Sequence, residues 1–148
     1  MLKSSEVDLQ IASLVERYGL SAVSDAVRIS SNRDEEVLTI VSNKGLHEAP
    51  AEYLHGEIFY ATEGPIECED VNCVNDYLDE LTTRLKAKLL EKRWKKVNLI
   101  PFGHIVLNMT IKMIVFRSLW IETNDLFYFG NNRYGIIERD TKRILSAV

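Results

Sequence analysis

The stretch VNLIPFGHIVLN, Val97 to Asn108, decides how the chain folds. It opens as a buried β-strand, VNLIPF, and closes as the start of an apolar helix. Between them sits a tight corner, Pro101-Phe102-Gly103-His104. A strand that runs straight into a helix is half of a crossover unit, so the segments on either side are read for the other half.

Downstream, HIVLNMTIKMIVFRSLWI is apolar around most of its circumference. Such a helix is expected to be largely buried, against a sheet, a partner, or both. DLFYFG then reads as a strand, NNR as a turn, YGIIER as a returning strand, and DTKRILSAV as a helical or irregular tail. Upstream, a long helix is expected from about Asp70 to Trp94, with Val71, Val74, Leu78, Leu81, Leu85 and Leu89 on one stripe. Its acidic residues come early and its basic residues late, which complements the helix dipole. EIFYAT (57–62) and VLTIV (37–41) read as strands, and SNKGLHEAPAEYLHG between them as a loop. The N-terminal segment carries a helix over 5–18, with Val7, Ile11, Leu14, Val15 and Tyr18 on one face, Ser5 and Asp8 as a capping pair, and Gly19 as its stop. Ser21 can cap a second short helix, Ala22 to Ile29, and SSNRDEE links this pair to the main body. The order predicts one domain over 1–148: a helical pair (1–31), then an α/β body (37–138) with a partly parallel sheet and crossover helices.

The gross properties exclude some classes. With 148 residues the chain can bury one real core. A net charge of −4 and a pI near 5.4 disfavour whole-protein attraction to nucleic acid or an anionic membrane, while leaving local basic patches open. Cys68 and Cys73 suggest neither a disulfide framework nor a paired metal motif. MLKSSEVDLQ lacks an apolar signal core, and IVLNMTIKMIVF contains Lys112 and is short of the ~20 residues of a membrane span, so a cytoplasmic protein is expected.

Chemistry in an open α/β sheet gathers at the carboxyl ends of the strands. Those ends are Ser42-Asn43-Lys44-Gly45, Thr62-Glu63-Gly64-Pro65, Phe102-Gly103-His104 and Gly130-Asn131-Asn132-Arg133. Glycine lets backbone approach a ligand, and backbone N–H groups at a helix start can receive an anion. The same features also make ordinary turns, and there is neither a GxGxxG fingerprint nor a Walker loop. His104 is the first candidate for proton chemistry, against the plainer role of capping the helix. His47 and His55 have no common metal spacing and read as loop residues. Glu63, Glu67, Glu69 and Asp70 could hold Mg²⁺ or do acid–base work, but fit better as negative charge at the start of the next helix. The run RLKAKLLEKRWKK could meet nucleic acid, though Leu85 and Leu89 mark one face as core and the rest as a solvated surface. Asn108 and Lys112 share a face of the apolar helix, and Asn108 lies one turn from His104.

From Leu99-Ile100-Pro101 through Gly103, the helix to Ile121, LFYF and Tyr134, the chain resembles the second half of a CARF or SAVED-type Rossmann-like domain. IFYATEGPI and the long helix ending in RW are compatible with the same layout, so the likeness covers roughly Val37 to Glu138. The helix lacks a glycine that many SAVED sequences carry, and the N-terminal helical pair has no counterpart. The resemblance implies a Rossmann-like, mainly parallel sheet and a sensor of a cyclic nucleotide or oligonucleotide in antiviral defence. It implies a pocket at strand ends, built from Ser42, Asn43, Gly45, Gly64, Phe102, Gly103, His104, Asn108 and Arg133, and completed by a homodimer or a partner protein. Some relatives cleave the ring they bind, so a phosphodiesterase with His104 or Lys44 assisting is an alternative, as is a non-enzymatic interaction subunit. No cofactor and no metal are called for.

Overall fold

The chain divides into two units, Met1–Arg33 and Asp34–Val148, and the computed structural model describes residues 4–24, 36–139 and 146. In the first unit, α1 spans Ser4–Tyr18. Gly19 ends it at φ +86°, donating its N–H to the Val15 carbonyl at 2.8 Å, a conformation glycine adopts without a Cβ clash. Helix resumes over 20–24, and the rest of the expected second helix lies outside the described residues. Val7, Ile11, Leu14 and Tyr18 are exposed.

In the second unit the elements are β1 (Val37–Lys44), β2 (Glu57–Glu63), α2 (Val71–Leu90), β3 (Lys96–Ile100), α3 (Ile105–Leu119), β4 (Asn124–Gly130) and β5 (Arg133–Ile137). The sheet runs β2-β1-β3-β4-β5. The first four strands are parallel, and β5 returns antiparallel to β4. The expected mixed α/β body with a mostly parallel sheet is therefore present. Asn131 and Asn132 both take positive φ, 52° and 57°, as a two-residue hairpin turn matched to strand twist requires. β4 pairs with β3 only at Asn98↔Asn124 and Leu99↔Asp125. The β4–β5 ribbon then extends past the end of β3.

Both helices cover one face. Leu81, Leu85 and Leu89 of α2 and Leu107, Ile111, Ile114 and Val115 of α3 pack on Leu38, Ile40, Ala61, Val97 and Leu99. The other face gathers Val41, Ile100 and Leu126 under the β1–β2 connection, through Ala49, Tyr53 and Leu54. Right-handed crossovers impose this division: the connections toward β3 and β4 lie on one face, and the connection that steps back to β2 lies on the other.

Several expectations are corrected. β1 runs three residues beyond Val41, so Ser42, Asn43 and Lys44 are strand, held by pairing such as Asn43↔Thr62 and Lys44↔Glu63. β3 stops at Ile100, leaving Pro101 and Phe102 in the corner. α2 ends at Leu90, and Trp94 folds back into the core, 5% exposed, with its indole N–H donated to the Lys88 carbonyl. Cys68 and Cys73 are joined in a disulfide; it staples the start of α2 locally and is no framework. The helix read as largely buried is covered on one side only: Ile105, Met109, Met113 and Trp120 stay exposed. Among the described residues no helix is long and apolar enough to cross a membrane.

Candidate functional site

The chain leaves β1 toward one edge of the sheet and leaves β3 toward the other. The two connections part at the carboxyl ends of β1 and β3, where an α/β sheet opens a crevice. The Pro101–His104 corner stands on that crevice; Ser42 and Asn108 tie it down, and Asn43 beside it is bonded to the end of β2. Ser42, fully buried, shares its one hydroxyl proton between the carbonyls of Phe102 (2.6 Å) and Ile100 (3.0 Å) and accepts the Phe102 N–H (2.6 Å), which also reaches the Ile100 carbonyl (3.1 Å). Asn43 donates its amide to Thr62 Oγ1 (2.9 Å) and the Gly64 carbonyl (2.8 Å). Asn108 donates its amide to the carbonyls of Phe102 (3.1 Å) and His104 (3.0 Å). Gly103 sits above Asn43 at φ +75°; a Cβ there would lie 3.6 Å from the Asn43 Cβ. His47 packs its ring against Phe102, centroids 5.4 Å apart.

Each of the two amides spends its N–H groups on carbonyl or hydroxyl oxygens, which fixes which end is nitrogen. Asn43 Oδ1 and Asn108 Oδ1 are then buried with no hydrogen-bond partner among the described residues. A buried acceptor without a donor costs about 1–3 kcal/mol, so such atoms are uncommon. Two of them flank one four-residue corner.

The helix starts differ in the same sense. Asp70 caps α2, accepting the Cys73 N–H at 2.8 Å. The acidic residues before α2 thus include a helix cap, the role expected of that run. At α3 the N-cap residue is His104, in an extended conformation with no side-chain cap bond. Helix starts leave four backbone donors unpaired within the helix, and His104 does not serve them.

Two cavities open beside the corner. One, of about 290 Å³, lies on the helical face and is lined by Ile66, Tyr77, Leu78, His104, Val106 and Leu107, with Cys68 of the disulfide in its wall. The other, of about 440 Å³, lies under the β1–β2 connection and takes in Lys44, Gly45, Leu46, His47 and Tyr60. The two residues expected to assist proton transfer, His104 and Lys44, therefore line different cavities. The Lys44 ammonium sits 3.7 Å from Glu63 and 4.9 Å over the Tyr60 ring.

The structure thus brings Ser42, Asn43, Phe102, Gly103, His104 and Asn108 together. Gly45 and Gly64 stand beside them, joined through the Gly64 N–H to the Lys44 carbonyl at 2.8 Å. Arg133 opens β5 on the projecting ribbon, past the β4–β5 turn. Five of the seven basic residues of the run are engaged elsewhere: Arg84 donates to the Ala61 carbonyl, Lys88 and Lys92 to Glu57, and Lys95 and Lys96 pair with Glu36 and Glu138, while Lys86 and Arg93 are exposed. Sequence reasoning placed Thr62 at a strand end without giving it a role in the pocket, where its hydroxyl links Asn43 to the Ser42 carbonyl (2.6 Å), and it missed the Ile66–Tyr77 wall of the smaller cavity. Thr62 was legible in principle, as the parallel-register neighbour of Asn43. Compared with known proteins, the chain matches no family model, no curated protein and no solved structure.

Proposed function

We propose that the chain is a Rossmann-like ligand-sensing module that takes a cyclic nucleotide or oligonucleotide signal at the β1/β3 crevice and acts through assembly with itself or a partner. The observation that carries this is the pair of buried, unpartnered amide oxygens of Asn43 and Asn108 beside the uncapped start of α3. A nucleotide supplies the complementary groups: base N–H and ribose O–H donors for amide oxygens, and phosphate oxygens for a helix start. The apolar cavity beside His104 offers room for a base ring.

A thermal-shift panel of cyclic di- and oligonucleotides tests it. A ligand present at 100 times its dissociation constant stabilises the folded state by about 2.7 kcal/mol, enough for a clear rise in melting temperature. His104→Ala, at an exposed position without a cap bond, should weaken that rise while leaving the ligand-free melting temperature unchanged. No shift from any member of the panel at millimolar concentration rejects the proposal.

A further inference from the structure

Helix α3 has two apolar faces, and the fold uses one. Leu107, Ile111, Ile114 and Val115 are buried against the sheet. Ile105, Met109, Met113, Phe116 and Trp120 recur at steps of four, four, three and four residues, which places them in one line on the opposite side. Ile105 is 74% exposed, Met109 63%, Met113 53% and Trp120 73%. A helix on the surface of a monomer normally carries polar residues there. Here the line contains no charge. Lys112, on its flank, is turned toward β4, where it donates to Asp125 and Thr123 at 2.6 and 2.7 Å.

The exposed apolar area of this line, with neighbouring Val106, is on the order of 600 Å², at the upper limit of the largest patch on an ordinary monomer. One side of a standard stable interface buries about 800 Å². Apolar contact alone thus supplies most of one side. The lack of charge suits a homodimer, whose interfaces are the more apolar class. A straight helical line is also self-complementary about a two-fold axis. With two copies antiparallel, Ile105 of one lies near Trp120 of the other, and the adaptable Met109 and Met113 meet at the centre.

We propose that the outer line of α3 is the surface through which two copies of this chain form a two-fold dimer with the α3 helices antiparallel. This rests on the assembly half of the function proposed above and is independent of what the corner binds. Sedimentation equilibrium of the full chain without ligand tests it. The expected result is twice the 17.0 kDa chain mass at micromolar concentration, and the chain mass alone for the double variant Met109→Glu/Met113→Glu. Both positions are exposed, so the variant should melt within about 2 °C of the parent. A parent chain that stays monomeric at about 100 µM overturns the proposal, as does a dimer that survives in the double variant. Ile11→Glu/Leu14→Glu, which charges the exposed face of α1, should remain dimeric; a monomer there would assign association to α1 and overturn it too. A nucleotide-induced thermal shift in a monomeric parent would leave the sensing function standing while this proposal fails.

Discussion

The two ends of the sheet are built from different chemistry. At the amino end, charges meet charges. Glu57 accepts from Lys88 at 2.6 Å and from Lys92, Lys95 pairs with Glu36, and Lys96 pairs with Glu138 at 3.2 Å. Lys88 and Lys92 also lie 5.7 and 4.8 Å over the Trp94 ring. At the carboxyl end, Ser42 and Asn108 hold the corner and Asn43 and Thr62 join the ends of β1 and β2, all with neutral hydrogen bonds, and two amide oxygens are left over. The contrast sets an end held by ion pairs against one held by neutral hydrogen bonds, the end at which the proposed function places a ligand. At the amino end Glu57, Glu36 and Glu138 each face a lysine within the chain. The carboxyl end is the more deeply buried, yet two of its amide oxygens and the α3 start are not answered.

The contrast predicts where single substitutions hurt most. Ser42→Ala should be the worst, because the hydroxyl is fully buried and its loss removes both a donor to the Phe102 carbonyl and the nearer acceptor of the Phe102 N–H, which keeps only the Ile100 carbonyl at 3.1 Å. A cost of about 1–3 kcal/mol is expected. Urea unfolding measures it. A loss below about 0.5 kcal/mol would mean that the corner is held by other contacts and that the neutral end is not the more sensitive one.

Much of this architecture was legible in the residues. The β-branched run Val37–Val41 and the alternating core stripe of α2 announce themselves by periodicity, and Gly19 and Asn131-Asn132 by their turn chemistry. What was not legible depends on contacts across space. Ser42 and Asn43 have poor strand propensity, and it is pairing with β2 that keeps them extended. An apolar helix does not say which of its sides the sheet will cover and which is left for a partner, so the exposed outer line of α3 is not legible in the residues. The corner itself was placed from VNLIPFGHIVLN. The unpartnered amide oxygens beside it emerge only once Gly64 and Phe102 have used the N–H groups of Asn43 and Asn108.

Gly103 allows a finer test of the corner. Its φ of +75° lies in the left-handed region, and an added Cβ would meet Asn43 at 3.6 Å, an ordinary contact. The penalty of Gly103→Ala should therefore be the backbone term alone, about 1–2 kcal/mol, and Gly103→Asn should recover part of it. If both variants lose more than about 3 kcal/mol, the corner has no space above Asn43, and a ligand could not approach its oxygen from that side.

The smallest effect is expected at the charged end and is visible in its pH dependence. Hydrogen bonds from Lys88 and then Lys92 hold the Glu57 carboxyl below its ordinary value of 4.5. A carboxyl whose folded pKa is the lower one stabilises the protein above the unfolded pKa, and that contribution disappears as pH falls through the folded value. Lys88 behaves in the opposite sense. The hydrogen bond to Glu57, then that to Glu91, raises its pKa above 10.5, so its contribution is present below 10.5 and lost as pH climbs through the raised value. The Glu57 side chain is 37% exposed, and solvent screening limits the acid loss to a few tenths to about 1 kcal/mol. Urea midpoints at about pH 6 and pH 3 should converge in Glu57→Gln relative to the parent chain by that amount. Ser42→Ala, at the other end of the sheet and sharing no partner with Glu57, should keep the parental acid loss, because distant sites add. An acid loss that changes in Ser42→Ala as much as in Glu57→Gln would show that the two ends unfold as one coupled network, and their different chemistry would then not amount to a division of labour.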